Sequence, residues 1–207
     1  MPNHCFNQII IESSLDDVEN ILDFLRNENT NTMFDFNKLV PMPQPLEDLQ
    51  YVEIEGERCY YSLEKWGKEL NGTENHILSF PGREWLMKNK TDSFTILRLE
   101  REHGTASWYE WCCAHWGTKW NAYDVEYKIG PLPGPTTIKN GKQLTYNLKT
   151  AWSEPRPIIR ALMGHLSGPG FHRELEMRWR FHEEADNFSG ELSLDNYEET
   201  EDPPIIH

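Results

Sequence analysis

Residues 107–124, which read SWYEWCCAHWGTKWNAYD, hold four of the chain's eight tryptophans. Tryptophan is bulky, and it repeats inside one short segment mainly where tight burial or binding requires it. Side chains four residues apart in a helix differ by only about 40° around its axis. One face of a helix beginning at about Thr105 would therefore carry Trp108, Cys112, Trp116 and Trp120. Such a stripe predicts a core helix that packs on a sheet, with a binding surface as the alternative.

Gly117 interrupts this pattern. Glycine is costly inside a helix and common just past its end, so we expect the helix to end there. The polar and aromatic residues around the end of the helix form a candidate ligand pocket: Trp116, Lys119, Trp120, Asn121 and Asp124. The alternative interpretation is that the polar members of this set cap and tie the turn.

The start of the chain shows the clearest strand and helix pattern. Residues 4–13 contain an apolar run flanked by polar residues, which predicts a buried strand. Ser14 is a suitable N-cap for the helix that follows it. Asp16 and Asp17 then lie in the first turn of that helix, where the helix dipole favours acids.

Later segments complete the predicted fold. Alternation and turn residues predict strands at 125–129, 143–152, 171–182 and 187–194, a hairpin turn at Asn140-Gly141 and a helix from Pro155 to about Leu166. This order predicts an α+β fold, with a ferredoxin-like (split βαβ) sheet that is antiparallel or mixed and has helices on one face. We expect a single domain over residues 1–207, with an insertion at about 46–91 and an acidic C-terminal hairpin and tail at 183–207.

The chain carries a net charge of −14, and much of it is concentrated near the C-terminal end. Residues 183–207 contain no lysine or arginine and nine acids: Glu183, Glu184, Asp186, Glu191, Asp195, Glu198, Glu199, Glu201 and Asp202. A negative field repels phosphate backbones and attracts basic protein surfaces. These acids are therefore candidate partner-binding residues, and direct nucleic-acid binding is disfavoured. A solvated tail that only aids solubility is the alternative.

Targeting and cysteine patterns bear on the compartment. The first four residues lack the basic start and the apolar run of a signal peptide. No segment approaches the roughly 18 consecutive apolar residues of a membrane span. Of the four cysteines, Cys112 and Cys113 are adjacent, which is a poor geometry for a disulfide in a helix. Together these features predict a cytoplasmic protein with reduced thiols and no membrane partner.

No residue pattern points to catalysis, to a metal or to a cofactor. Cys112, Cys113 and His115 lack the Cys-x-x-Cys spacing of a zinc site. The chain contains neither a Gly-x-Ser-x-Gly nucleophile elbow nor a glycine-rich phosphate loop. We therefore expect a protein that is not an enzyme and needs no cofactor, with an enzyme of unknown reaction as a further alternative.

Aromatic residues on the predicted strands suggest a different function. A ferredoxin-like sheet can stack single-stranded bases on exposed aromatic side chains. Trp179, Phe181 and Tyr146 would do this if they faced solvent. Trp179 and Phe181 alternate with Arg178 and Arg180, which favours burial of the aromatic side chains. A nucleic-acid-binding regulator that uses these aromatics is therefore the second hypothesis.

Three separated segments resemble one protein family. The opening MPNHCFNQIIIES, the phrase FDFNKLVPMP, and WGTKWNAYD followed by TAWSEPRPIIRAL are similar to the YubB-type proteins of conjugative plasmids and phages. The matching residues are Pro2, Asn3, 39–43, 116–121 and 150–153. His4 and Glu154 stand where that family usually has tryptophan and proline. The resemblance implies a ferredoxin-like C-terminal part and an accessory role in a mobile element, and it implies no catalytic residues.

The resemblance and the charge together lead to one functional expectation. We expect a non-enzymatic accessory protein of a phage or plasmid that acts in the cytoplasm of the host cell. Its expected partner is a host protein with a basic surface, such as a nucleic-acid-binding defence complex. The expected effect is counter-defence, by inhibiting CRISPR or restriction through an acidic surface.

Overall fold

The computed structural model describes residues 3–48, 52–54, 57–59, 93–135, 137–171, 174–185 and 188–193. In chain order its elements are β1 (His4–Ser14), α1 (Leu15–Leu25), a short 3-10 helix (Phe36–Lys38), α2 (Gln44–Asp48), β2 (Val52–Ile54), β3 (Glu57–Cys59), α3 (Ser93–His103), α4 (Trp108–His115), β4 (Tyr123–Pro131), β5 (Gly141–Ala151), α5 (Arg156–Leu166), β6 (Glu176–Glu183) and β7 (Ser189–Ser193). These helices and strands confirm the α+β class.

The chain divides into two compact units. The sheet unit consists of Met1–Leu39 and Ala122–His207, and the second unit is Val40–Asn121. The second unit contains residues 46–91, where an insertion is expected, and also the tryptophan-rich helix α4.

The sheet unit is organised around five strands in the order β4-β5-β1-β6-β7. Every neighbouring pair in this sheet is antiparallel. Strand β5 lies between β1 and β4, although β4 comes before it in the chain. The same sheet therefore brings the first strand of the chain into contact with two strands that follow more than a hundred residues later.

Strand β1 shows which face of the sheet is buried. Its side chains alternate along the strand: Cys5, Asn7, Ile9 and Ile11 are buried, while Phe6, Gln8 and Ile10 are partly exposed. Alternate side chains of a strand point to the same face. Tyr146 of β5 and Trp179 of β6 both lie directly opposite Ile9, so they join the same buried face.

Helices α1 and α5 lie on this buried face. Helix α1 packs against β1 and β5. Helix α5 lies beside α1, since the rings of Phe24 and His165 stack with 4.1 Å between their centroids. Helix α5 also reaches the sheet at Phe181, whose ring centroid lies 5.4 Å from the guanidinium carbon of Arg156. The opposite face, which carries the partly exposed Phe6, Gln8 and Ile10 of β1, is called the open face below.

The ends of the helices follow their capping residues. Ser14 accepts a hydrogen bond of 3.2 Å from a backbone N–H in the first turn of α1, which confirms the predicted cap. Ser107 accepts in the same way from Glu110, at 3.3 Å, so α4 begins after Ser107 and not at Thr105. Gly117 follows the end of α4 with a φ of +77°, which confirms the predicted break.

The tryptophan-rich helix belongs to the second unit. Trp111 and Cys112 are buried within α4, and Trp116 is buried just after its end. Trp108 is only partly buried, so the buried face is rotated from the predicted stripe toward Trp111. The indole N–H of Trp116 donates to the carbonyl of Val40 at 2.8 Å, which ties the end of the helix to the start of this unit. None of the helices in the described residues combines the length and the apolar character that crossing a membrane needs.

Candidate functional site

Three of the nine acids predicted to bind a partner lie in the described residues. Glu183 is 2% exposed because it continues the inward alternation of β6, and its carboxylate accepts from the N–H of Ala185 at 2.9 Å. It is therefore not part of an exposed surface. Glu191 is exposed, but its carboxylate pairs with Arg180 at 3.0 Å. Glu184, which follows Glu183 in the chain, is exposed. The other six lie outside the described residues: Asp186, Asp195, Glu198, Glu199, Glu201 and Asp202.

The five residues of the predicted ligand pocket have separate surroundings. The ammonium of Lys119 lies 4.5 Å from the ring centroid of Trp120, which is a cation–π contact. Trp116 is buried, and Asn121 is partly exposed. Asp124 belongs to the sheet unit, where its carboxylate forms a 2.9 Å ion pair with a lysine of β5. The contact between Lys119 and Trp120 thus joins two members of this set.

A different site lies where β1 begins and where β5 and β6 end. Trp152 follows β5, and its backbone N–H donates to the carbonyl of Asn3 at 2.9 Å. Glu184 follows β6, and its N–H donates to the carbonyl of His4 at 2.8 Å. The N–H of His4 donates in return to the Glu184 carboxylate at 3.1 Å. The first residues of β1 therefore hold Trp152 and Glu184 at the same end of the sheet.

Trp152 is both exposed and strained. It is 41% exposed, and its φ of +72° places it in the left-handed region, where Cβ crowds the following carbonyl oxygen. Such a conformation costs about 1–3 kcal/mol for a residue other than glycine. Strained residues cluster at functional sites, and exposed tryptophans are frequent anchors of protein interfaces. Trp152 is therefore a candidate interface residue at this end of the sheet.

Carboxylates lie near the same end of the sheet. The hydroxyl of Tyr123 donates to the carbonyl of Thr150 at 3.2 Å, and it lies 2.6 Å from Nδ1 of His4. Burial raises the pKa of Tyr123, and the charges of Asp124 and Glu184 raise it further. Both carboxylates therefore lie close enough to this tyrosine to affect its ionisation.

Two more carboxylates lie close to the buried Cys5 at this end. Burial raises the pKa of the Cys5 thiol to about 12, with further contributions from the charges of Glu154 and Glu183. Glu154 forms an ion pair with Arg156 at 2.7 Å. Trp152, Asp124, Glu154 and Glu184 are called the strand-end surface below. Asp124 and Glu154 are each paired with a cation, so the carboxylate of Glu184 gives this surface its negative charge.

The open face of the sheet carries a second feature, a groove of about 700 Å³. Phe6 of β1 and His182 of β6 stack across this face, with 4.8 Å between ring centroids. The ammonium of Lys149 lies 5.5 Å from the Phe6 ring centroid. The amide of Gln8 donates to that of Asn147 at 3.1 Å. The groove therefore combines an aromatic stack, a cation and hydrogen-bonding amides.

The aromatics considered for base stacking lie on the other face. Trp179, Phe181 and Tyr146 are buried beneath the helices, so they do not face solvent. Sequence reasoning missed the pair of Phe6 and His182, because the two residues are far apart in the chain. The missing information was the register of the sheet, which places both of them on the open face as direct neighbours.

Helix α4 carries two adjacent cysteines, Cys112 and Cys113. Burial raises the pKa of Cys112 to about 12 and also raises that of Cys113, so both thiols remain protonated at neutral pH and are weak nucleophiles. Among the residues that the structure describes, no three His, Cys, Asp or Glu side chains are grouped as a metal ion would require.

In comparisons with protein-family models, curated proteins and solved structures, nothing matched this chain.

Proposed function

We propose that this protein binds a basic surface of another protein through the strand-end surface, with Trp152 as the anchor. The observation that carries this proposal is the exposed indole of Trp152, held at a φ of +72°. Tryptophan is enriched among residues that dominate binding energy, and complementary charges around such an anchor steer a partner toward it. Glu184 of this surface is exposed and belongs to the acid-rich segment 183–207.

The proposed biological role is that of a non-enzymatic accessory protein of a plasmid or phage. It would act in the host cytoplasm as a counter-defence inhibitor, by covering a basic surface that normally holds nucleic acid. Two observations support this role. The resemblance to YubB-type proteins includes residues 150–153, which contain Trp152 itself, and the net charge of −14 favours basic partners.

We also propose that the sheet unit has a ferredoxin-like arrangement. Strand β5 lies between β1 and β4, and α1 and α5 follow β1 and β5 in the chain, which supports a split βαβ order. Strand β7 would then be an additional edge strand beside β6.

Affinity capture from a bacterial host lysate tests the proposed function. The wild-type chain is expected to retain a basic, nucleic-acid-binding protein. Trp152→Ala is expected to weaken its retention about 30-fold, the effect of losing an interface anchor of about 2 kcal/mol. Glu184→Gln is expected to weaken it a few-fold. Glu19→Gln, which removes an exposed charge from α1, is the matched control and is expected to change nothing. Equal capture by all four chains, or capture of acidic proteins only, would contradict the proposal.

A comparison of Trp152→Gly with Trp152→Ala separates binding from folding. Both variants lack the indole, so both are expected to lose the partner. Glycine adopts a positive φ without crowding, so the glycine variant is expected to be more stable than the alanine variant by about 1 kcal/mol. Urea denaturation followed by circular dichroism measures the difference. An alanine variant as stable as the glycine variant would show that the backbone at this position is not strained.

Single-stranded nucleic acid is the second candidate ligand, on the open face. The observation that favours it is the stack of Phe6 and His182, with Lys149 over the Phe6 ring. It ranks second because Lys149 is already paired with Asp124, and because the net charge of −14 opposes phosphate binding.

Fluorescence anisotropy with a short single-stranded DNA at low salt tests the second candidate. Phe6→Ala is expected to weaken binding at least 5-fold, since one stacked base contributes about 1–3 kcal/mol. Ile10→Ala is the matched control, because Ile10 lies on the same face of β1 but outside the groove. Absence of binding by the wild-type chain at low salt would remove this candidate.

A further inference from the structure

Strand β4 forms one edge of the five-stranded sheet. An edge strand presents unpaired backbone N–H and C=O groups, which can pair with a strand of another chain. Natural proteins protect such edges with bulges, prolines or covering elements. Strand β4 has a bulge near its start, between Tyr123 and Glu126, and a proline at its end, Pro131. The segment between them keeps a regular pairing with β5 and is the part open to a partner strand.

The side chains of this open segment are exposed on both faces of the sheet. Tyr127 is 45% exposed and Ile129 is 39% exposed, which makes them two of the three large hydrophobic residues exposed in the described part of the chain. Glu126 and Lys128 point to the open face and are also exposed. Neither of them forms an ion pair with any residue that the structure describes. The edge thus carries apolar surface on one face and one exposed charge of each sign on the other.

These charges are complementary to those of a second copy of the same strand. When two β4 strands pair antiparallel, residues that lie directly opposite each other point to the same face of the sheet. In a pair with two-fold symmetry, one residue at the axis must therefore lie opposite the same residue of the other copy. With the axis at Tyr127, Glu126 of each copy lies opposite Lys128 of the other, which gives two pairs of opposite charge. An axis at Glu126 or at Lys128 places like charges directly opposite each other, which is destabilising.

We propose that the protein forms a symmetric dimer in which two β4 strands pair antiparallel, with Tyr127 at the two-fold axis. The exposed Tyr127 and Ile129 of the two copies are then brought together on one face of the joined sheet. The two pairs of Glu126 and Lys128 set the register on the other face. The dimer joins two five-stranded sheets into one of ten strands and gives this edge the protection that it lacks in the monomer.

Sedimentation equilibrium of the full chain over a concentration series tests the dimer. The wild-type chain is expected to show a monomer–dimer equilibrium. Glu126→Lys and Lys128→Glu are each expected to raise the dissociation constant about tenfold or more, because each replaces two opposite-charge pairs with two like-charge pairs. The double variant E126K/K128E restores opposite charges and is expected to dimerise like the wild-type chain.

An equimolar mixture of the two single variants gives the sharpest readout. In the mixed dimer, every cross-strand pair again has opposite charges, so E126K and K128E are expected to associate with each other while each alone is monomeric. Glu19→Lys and Lys38→Glu change the net charge equally at exposed positions away from β4, and they are expected to leave the dimer unchanged. Circular dichroism establishes that each variant is folded.

Three outcomes would overturn the proposal. The first is a wild-type chain that stays monomeric throughout the series. The second is a dimer whose dissociation constant is the same in E126K and K128E as in the wild-type chain. The third is a mixture of the two single variants that does not associate, which would exclude this register even if a dimer forms in another way.

Discussion

Replacing Trp179 with alanine is expected to lower the free energy of unfolding of the sheet unit by about 3–5 kcal/mol. Trp179 is buried in the centre of the sheet, directly opposite Ile9 of β1. Its ring lies beside that of Phe181, with 4.5 Å between centroids. Its indole N–H also donates to the side-chain oxygen of Asn7 at 3.1 Å. The substitution therefore leaves a large cavity and a buried acceptor without its donor.

Trp179→Phe separates these two contributions. Phenylalanine keeps much of the buried ring but cannot donate to Asn7, so a loss of about 1–3 kcal/mol is expected. In the wild-type chain the amide nitrogen of Asn7 donates to the Thr150 hydroxyl at 3.0 Å, and this bond is expected to remain in the variant. The bond that is lost is the one to the side-chain oxygen of Asn7. Urea denaturation followed by circular dichroism measures both variants. A loss below about 1 kcal/mol for Trp179→Ala would show that this residue is not part of a tightly packed core.

Alkaline pH is expected to produce the second large effect. The Cys5 thiol has an ordinary pKa of 9.0, and its burial in the folded chain raises that pKa to about 12. Below pH 9 the thiol is protonated in both the folded and the unfolded state, so it contributes no pH dependence. Above pH 9 the unfolded state releases the proton and the folded state keeps it. The free energy of unfolding is therefore expected to fall by about 1 kcal/mol for each pH unit between 9 and 12.

Cys5→Ala tests the source of this dependence. The variant lacks the thiol, so its stability is expected to decline less steeply above pH 9 than that of the wild-type chain. At pH 7, the difference in the free energy of unfolding between the two chains reports the loss of the buried sulfur. The change in that difference at higher pH reports the ionisation of the Cys5 thiol. Cys112, also with a pKa of about 12, and Tyr146, whose pKa burial raises, remain in both chains and contribute equally. Parallel pH profiles for the two chains would show that Cys5 ionises as readily in the folded state as in the unfolded one.

Local features of the fold could be predicted because each depends on residues close together in the chain. Ser14 caps α1, Gly117 follows the end of α4, and Asn140 adopts a φ of +55° in the turn before β5. Each of these positions needs a side-chain oxygen or a tolerance of positive φ, and the residue type itself supplies it. The alternation of β1 likewise indicated its buried face, because period two is a property of any strand.

The candidate site could be predicted only in part. Glu184 belongs to the predicted acidic set and lies at the strand-end surface, whereas Glu183, its neighbour in sequence, is buried. One position along a strand reverses the face to which a side chain points, so composition alone cannot separate them. Trp152 was visible only as part of a family-like segment, since a strained φ leaves no mark on the sequence.

The sequence by itself determined the α+β class, the cap of α1, the end of α4, the turn before β5 and the excess of negative charge, because these follow from residue types and short-range spacing. Only the tertiary structure decided which distant residues meet. Phe6 reaches both Lys149 and His182 through the register of three strands, and Trp152 and Glu184 each bond to a residue at the start of β1. Such contacts depend on the pairing of segments far apart in the chain. That pairing is set by the burial of a shared face and not by the residues that later form the site.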